Sequence, residues 1–125
     1  MSDLKQFERQ KYFNLETFRK SGVGIKTPVW FVQDGDVLYV VTEGKSGKVK
    51  RIRNNGKVRI APCYGNGKVT GEWVDAQAQI VQDLTLSQKI DNMLNKKYGL
   101  AKHFFSLLRR FSGSQTAFLK VEMQE

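Results

Sequence analysis

The chain has 125 residues, 40% of them apolar and eight of them Phe, which suffices for one domain with a packed core and excludes a disordered chain. Its single cysteine, Cys63, excludes an intramolecular disulfide, and its single histidine, His103, leaves no metal-ligand spacing. The formal net charge of +9 points to a polyanion without naming it: nucleic acid, anionic headgroup or phosphorylated cofactor.

Taken in order, Leu4, Phe7 and Lys11 have helical spacing, predicting a short helix over 3–11. "FNLETF", 13–18, alternates Phe13, Leu15 and Thr17 against Asn14, Glu16 and Phe18, a strand pattern. "TPVWFVQ", 27–33, and "VLYVVT", 37–42, flank the hairpin signal "DGD". Ser46 is placed to cap a helix over 47–54 that buries Val49 and Ile52 and ends at Gly56. "KVRIAPCY", 57–64, and "KVTGEWVDAQAQIV", 68–81, read as strands around the turn "GNG", with Gly71 marking a bulge or a close backbone approach. "TLSQ", 85–88, has capping-box spacing before a helix that carries Leu86, Ile90, Met93 and Leu94 and stops at Tyr98-Gly99. A second helix presents Phe104, Leu107, Leu108 and Phe111 on one face, "SGS" breaks it, and "TAFLKVEM", 116–123, closes the chain as a strand. Six strands joined mostly by short turns predict a small antiparallel barrel, mainly β with flanking helices.

The charge is uneven. Residues 43–59 hold seven cations against one acid, a net +6, and residues 84–112 hold six against one, a net +5. Three readings fit the run "TEGKSGKVKRIRNN", 42–55. A solvated helix face needs nothing further. A nucleic-acid face wants a longer helix or stacking aromatics, and no helix-turn-helix, RRM or zinc-finger signature is present, so nucleic acid is disfavoured. A phosphate nest follows from a strand entering a Gly-containing loop and then a helix N-terminus, with hydroxyls at Thr42 and Ser46 and a charged donor at Lys48.

The residues "VVT…KSGKVKRIRNNGKV" are similar to the phosphate segment of the pyridoxamine 5′-phosphate oxidase superfamily. There a strand ending in Thr precedes Ser-Arg-Lys-Ala and then Asn-Asn-Pro. "TFRKSGVGIKTPVWFVQDGDVLYVVT" and "IAPCYGNGKVTGEWVDAQAQIV" resemble more closely its branch of F-420-dependent oxidoreductases, over residues 13–123. The resemblance implies a six-stranded antiparallel split β-barrel that forms a homodimer with cofactors in grooves at the interface. It implies that Thr27, Pro28, Val29 and Trp30 border the ring of FMN or coenzyme F-420. It places Thr42, Ser46 and Lys48 near the phosphate, with Arg51 a further contributor and Trp73 near the site or the dimer contact. Haem is a less favoured occupant. Gly47 stands where the oxidases have Arg, and "FLKVEMQE" lacks their Trp and Arg pattern, so vitamin B6 oxidation is not expected. The implied activity is hydride transfer with an unidentified small substrate. The alternatives are a non-catalytic flavin- or haem-binding protein, or a small basic nucleic-acid-binding barrel.

Cys63 is expected as a buried small hydrophobe, and His103 as a surface or interface residue. No serine triad or carboxylate pair stands out, which suits a protein whose cofactor carries the chemistry, and no catalytic side chain is named. No apolar leader core or membrane-length apolar run is present, so a cytoplasmic, membrane-free protein is expected.

Overall fold

A computed structural model describes residues 2–98 and 116–123. The first of these, Ser2–Phe7, form a 3₁₀ helix in place of the expected helix over 3–11. It still delivers Leu4 and Phe7 to the core, where Phe7 meets Phe13 and Phe31 edge-on. Six strands follow: β1 (Tyr12–Phe18), β2 (Gly24–Asp34), β3 (Val37–Glu43), β4 (Lys57–Cys63), β5 (Val74–Ile80) and β6 (Thr116–Met123). They close into an antiparallel barrel in the order β1-β2-β3-β6-β5-β4. Helix α1 (Gly47–Asn54) links β3 to β4, and helix α2 (Leu84–Tyr98) follows β5. The predicted second helix, with Lys102, His103, Arg109 and Arg110, lies outside the described residues.

The barrel interior holds one continuous apolar cluster that includes Phe13, Leu15, Phe31, Leu38, Val40, Ile60, Leu119 and Val121. Val49 and Ile52 of α1 join it, as their three-residue spacing predicts, so α1 plugs one end. A second cluster lies outside the sheet. There Ile90 and Leu94 of α2 pack on Val32, Tyr39 and Val41, the outward residues of β2 and β3.

Four local readings change. β1 is buried on both faces, because the loop between β4 and β5 covers its outer side. Asn14 Nδ2 donates to the Gly67 carbonyl, and Gln6 exchanges two 2.9 Å hydrogen bonds with the Glu72 backbone. That same covering shortens the expected 68–81 strand to Val74–Ile80: Gly71 crosses Pro62 so tightly that a Cβ there would come within 2.6 Å of its ring. Close approach, and not a ladder bulge, is what the glycine allows. α1 ends on Asn55 in an extended conformation, its N–H donating to the Arg51 carbonyl, while the Gly56 carbonyl accepts from Ala78 N–H of β5. Finally, Asp83 and not Thr85 caps α2. Its Oδ1 accepts from Thr85 N–H at 2.9 Å, and its carbonyl accepts from Ser87.

One property of β2 positions everything that follows. It pairs with β1 over Gly24–Trp30 and with β3 over Phe31–Asp34, so the two ladders do not overlap. Gly35, with φ +60°, opens the two-residue turn between β2 and β3. Such a turn makes Asp34–Val37 a hydrogen-bonded pair, and alternation then aims the backbone groups of Val32 and Pro28 toward β3. Pro28 therefore lacks its N–H on a side where, among the described residues, β2 has no strand partner, which explains a proline inside an eleven-residue strand. The barrel is split between the first half of β2 and the end of β3.

Candidate functional site

The split is bounded on one side by β2 and on the other by Thr42, Glu43 and the turn into α1. Ser46 is the N-cap of α1, and its Oγ accepts from Val49 N–H at 3.5 Å. Lys50 N–H is taken by the Ser46 carbonyl. The cap therefore leaves the N–H groups of Gly47 and Lys48 as the open donors of the first turn. No acid occupies that turn. Lys48 is partly buried there, and burial, followed by repulsion from Arg51, pushes its ammonium below the ordinary lysine range against the pull of Glu43. A desolvated cation beside another cation favours an anion between them. Thr42 is 7% exposed on the last turn of β3 before the loop.

Arg51 reaches back along α1. Its Nε donates to Thr17 Oγ1 at 2.6 Å, and a Cβ on residue 47 would lie 2.7 Å from its guanidinium. Gly47 thus makes room for Arg51, which is how a chain without the Ser-Arg-Lys arginine can still present a guanidinium near the same turn. Lys45, Lys50 and Arg53 are exposed. The basic run is accordingly three things at once: Ser46 caps α1 with Lys48 partly buried in its first turn, Arg51 folds back onto Thr17, and the others form a solvated face.

The "TPVWF" residues divide by alternation. Val29 is 6% exposed within the barrel core and lies opposite Phe13 of β1, so it is a packing residue. Thr27 pairs with Leu15 and Pro28 with Asn14 of β1. Trp30 points to the outer face and stacks on Tyr98 of α2, with ring centroids 4.6 Å apart and planes 11° from parallel, and meets Tyr12 edge-on. Trp73 lies elsewhere on that outer side, between the Lys26 ammonium at 5.2 Å and the Arg59 guanidinium at 5.1 Å. Arg59 in turn pairs with the buried Glu16 at 3.3 Å. The structure therefore groups Thr42, Ser46, Lys48 and Arg51, sets Thr27 to Trp30 along the facing strand, and leaves Trp73 in a separate cationic cluster.

Two features were not anticipated. Tyr98 Oη accepts from Phe31 N–H at 3.0 Å and lies 2.8 Å from the Lys11 carbonyl and 2.9 Å from that of Phe31, filling the place where the β1–β2 ladder ends. Burial raises its phenol far above the ordinary range, so it stays protonated. Lys97 Nζ donates to the same Phe31 carbonyl at 2.8 Å and lies 3.5 Å over the Phe31 ring, and burial lowers its ammonium to about 8. Neither "KKY" residue has a sequence signal beyond helix spacing. The other feature is a cleft of about 870 Å³ at the far end of α1, lined by Arg51, Asn54 and residues of the β1–β2 turn. Cys63 is buried as expected, and burial raises its thiol.

The first turn of α1 gathers open N–H donors, a half-desolvated lysine and, beside Gly47, a guanidinium, a donor set that fits a phosphate group. Among the described residues no group of His, Cys, Asp and Glu is arranged to hold a metal ion, and no helix is long and apolar enough to cross a membrane.

No protein-family model and no curated protein matches the sequence. Solved structures do. The haem-storage protein HutZ of Vibrio cholerae superimposes with a TM-score of 0.74 at 16% identity, over 99% of this chain and 89% of the other. A Listeria innocua protein provisionally designated a pyridoxamine 5′-phosphate oxidase gives 0.70 at 16% identity, over 99% and 92%. A structure named F420 reductase gives 0.66 at 21% identity, over 98% and 93%. With its closed six-stranded barrel, the chain shares the split-barrel fold of these solved structures.

Proposed function

We propose that the protein is a flavin- or deazaflavin-dependent oxidoreductase that binds FMN or coenzyme F-420 in the split and acts on a small conjugated substrate. The observation that carries this reading is the first turn of α1, where the Ser46 cap leaves the Gly47 and Lys48 N–H groups open, no acid is present and the Lys48 ammonium is half-desolvated. The bound ring would supply the hydride chemistry. The chain's part is to hold the phosphate at the N–H groups of Gly47 and Lys48, to neutralise it with the Lys48 ammonium, and to border the ring with β2. Thr42 and Ser46 supply hydroxyls, and Arg51 supports the same charge from Thr17.

The test is a titration of FMN and riboflavin into the wild type and Lys48→Ala, read by fluorescence quenching. One charge-assisted hydrogen bond is worth roughly 1.5–3 kcal/mol. Lys48→Ala should therefore weaken FMN binding about tenfold to a hundredfold and leave riboflavin nearly unchanged. Equal weakening of both ligands overturns the phosphate assignment.

The similarity to HutZ favours haem as the second reading. An absorption spectrum of the purified protein, with mass spectrometry of the released small molecule, separates flavin from haem. The site opens at the barrel surface, and in this reading a second copy completes it, so light scattering at micromolar concentration should give a dimer. A monomer that still holds its cofactor tightly contradicts the shared groove.

A further inference from the structure

The turn joining β1 to β2 is closed by two hydrogen bonds, Gly22 N–H to the Arg19 carbonyl at 2.8 Å and Arg19 N–H to the Val23 carbonyl at 2.9 Å. It holds Arg19 and Lys20 at the rim of the 870 Å³ cleft, which Arg51, Lys57 and Arg59 enter from α1 and β4. Asp75 is the one acidic residue lining it. Glu16 already answers Arg59, and Thr17 engages Arg51 through Nε alone, leaving the outer guanidinium nitrogens. Among the described residues Arg19, Lys20 and Lys57 have no acid within ion-pair distance. So many unanswered cations in one concavity repel one another, and a single phosphate would answer only part of that charge. Phe18 supplies an apolar ring in the wall, and Asn54 and the exposed Asp75 supply acceptors and donors for hydroxyls or a base. The volume suits an organic ligand of nucleotide size.

We propose that this cleft binds a nucleoside diphosphate group, with Arg19, Lys20 and Lys57 on the phosphates and Phe18 against the base. The site is separate from the first turn of α1 and stands whether or not a flavin occupies the split. A long single strand would need a track of cations and several stacking rings, and this is a bounded cavity with one ring.

Calorimetric titration of the full chain with ADP, AMP and a single-stranded oligonucleotide tests it. Arg19→Ala/Lys20→Ala, at the exposed tip of the turn, is the matched variant. ADP should bind at least tenfold more tightly than AMP, because the second phosphate adds charge-assisted contacts. The variant should lose at least tenfold in ADP affinity, with its circular dichroism and its FMN affinity unchanged. No ADP binding, equal affinity for AMP and ADP, indifference to the double substitution, or preference for the oligonucleotide each overturns the proposal. ADP binding without FMN binding removes the flavin reading and keeps this one; FMN binding without ADP binding does the reverse.

Discussion

Lys97 is a half-buried residue that keeps a titratable charge. Its ammonium has a folded pKa of about 8, against an ordinary 10.5, because burial penalises the charged form. Between about pH 8 and 10.5 the unfolded chain therefore binds more protons than the folded one, and stability rises with pH across that window. Below pH 8 the buried charge is present in full and its penalty is complete. Lys97→Met keeps the length of the side chain and removes the charge. The variant should show a flatter dependence of Tm on pH from 8 to 10.5 than the wild type, measured by thermal denaturation in parallel buffers. An unchanged slope would mean that the hydrogen bond to Phe31 and the contact with its ring fully compensate the burial. Lys48 shifts in the same direction, so the difference between the two proteins, and not the wild-type slope alone, isolates Lys97.

At the scale of elements, caps distinguish two registers for the start of α2. If Asp83 is the cap, Asp83→Ala should cost about 1 kcal/mol by denaturant unfolding, whereas Gln88→Ala should stay within about 0.5 kcal/mol. The reverse order would restore the capping box suggested by "TLSQ". The strands themselves were legible, because alternation in "FNLETF" and "VLYVVT" and the Gly35 turn are local signals. So was α1, from Ser46 and the spacing of Val49 and Ile52. What sequence could not show was distance. The contact of Arg51 with Thr17 spans 34 positions, and that of Tyr98 with the Lys11 carbonyl spans 87. The same holds for the basic run: charge counting groups Lys48 with Lys57 and Arg59, while the eight-residue α1 carries the chain from the split to the other cleft between them. Alternation in β1 sets Asn14 apart from Phe13 and Leu15, and the contact that covers it, with the Gly67 carbonyl, lies 53 positions away.

For the whole molecule, closure of the barrel depends on β6, which arrives last and pairs with both β3 and β5. Leu119 is fully buried and lies opposite Val40 on one side and Ile80 on the other. Leu119→Ala should cost about 2–5 kcal/mol, and because the ring is one core, far-UV dichroism and tryptophan emission should report the same unfolding midpoint. Separate midpoints would show that α2 and its outer cluster melt apart from the barrel. The two tryptophans have a further use. Trp30, stacked on Tyr98, stands where β2 leaves one neighbour for the other, and Trp73 is held between two cations, one of which lines the basic cleft. The chain therefore carries one native fluorophore beside each candidate site. Replacing either with Phe would assign a ligand's optical signal to one end of the barrel or the other without any added label.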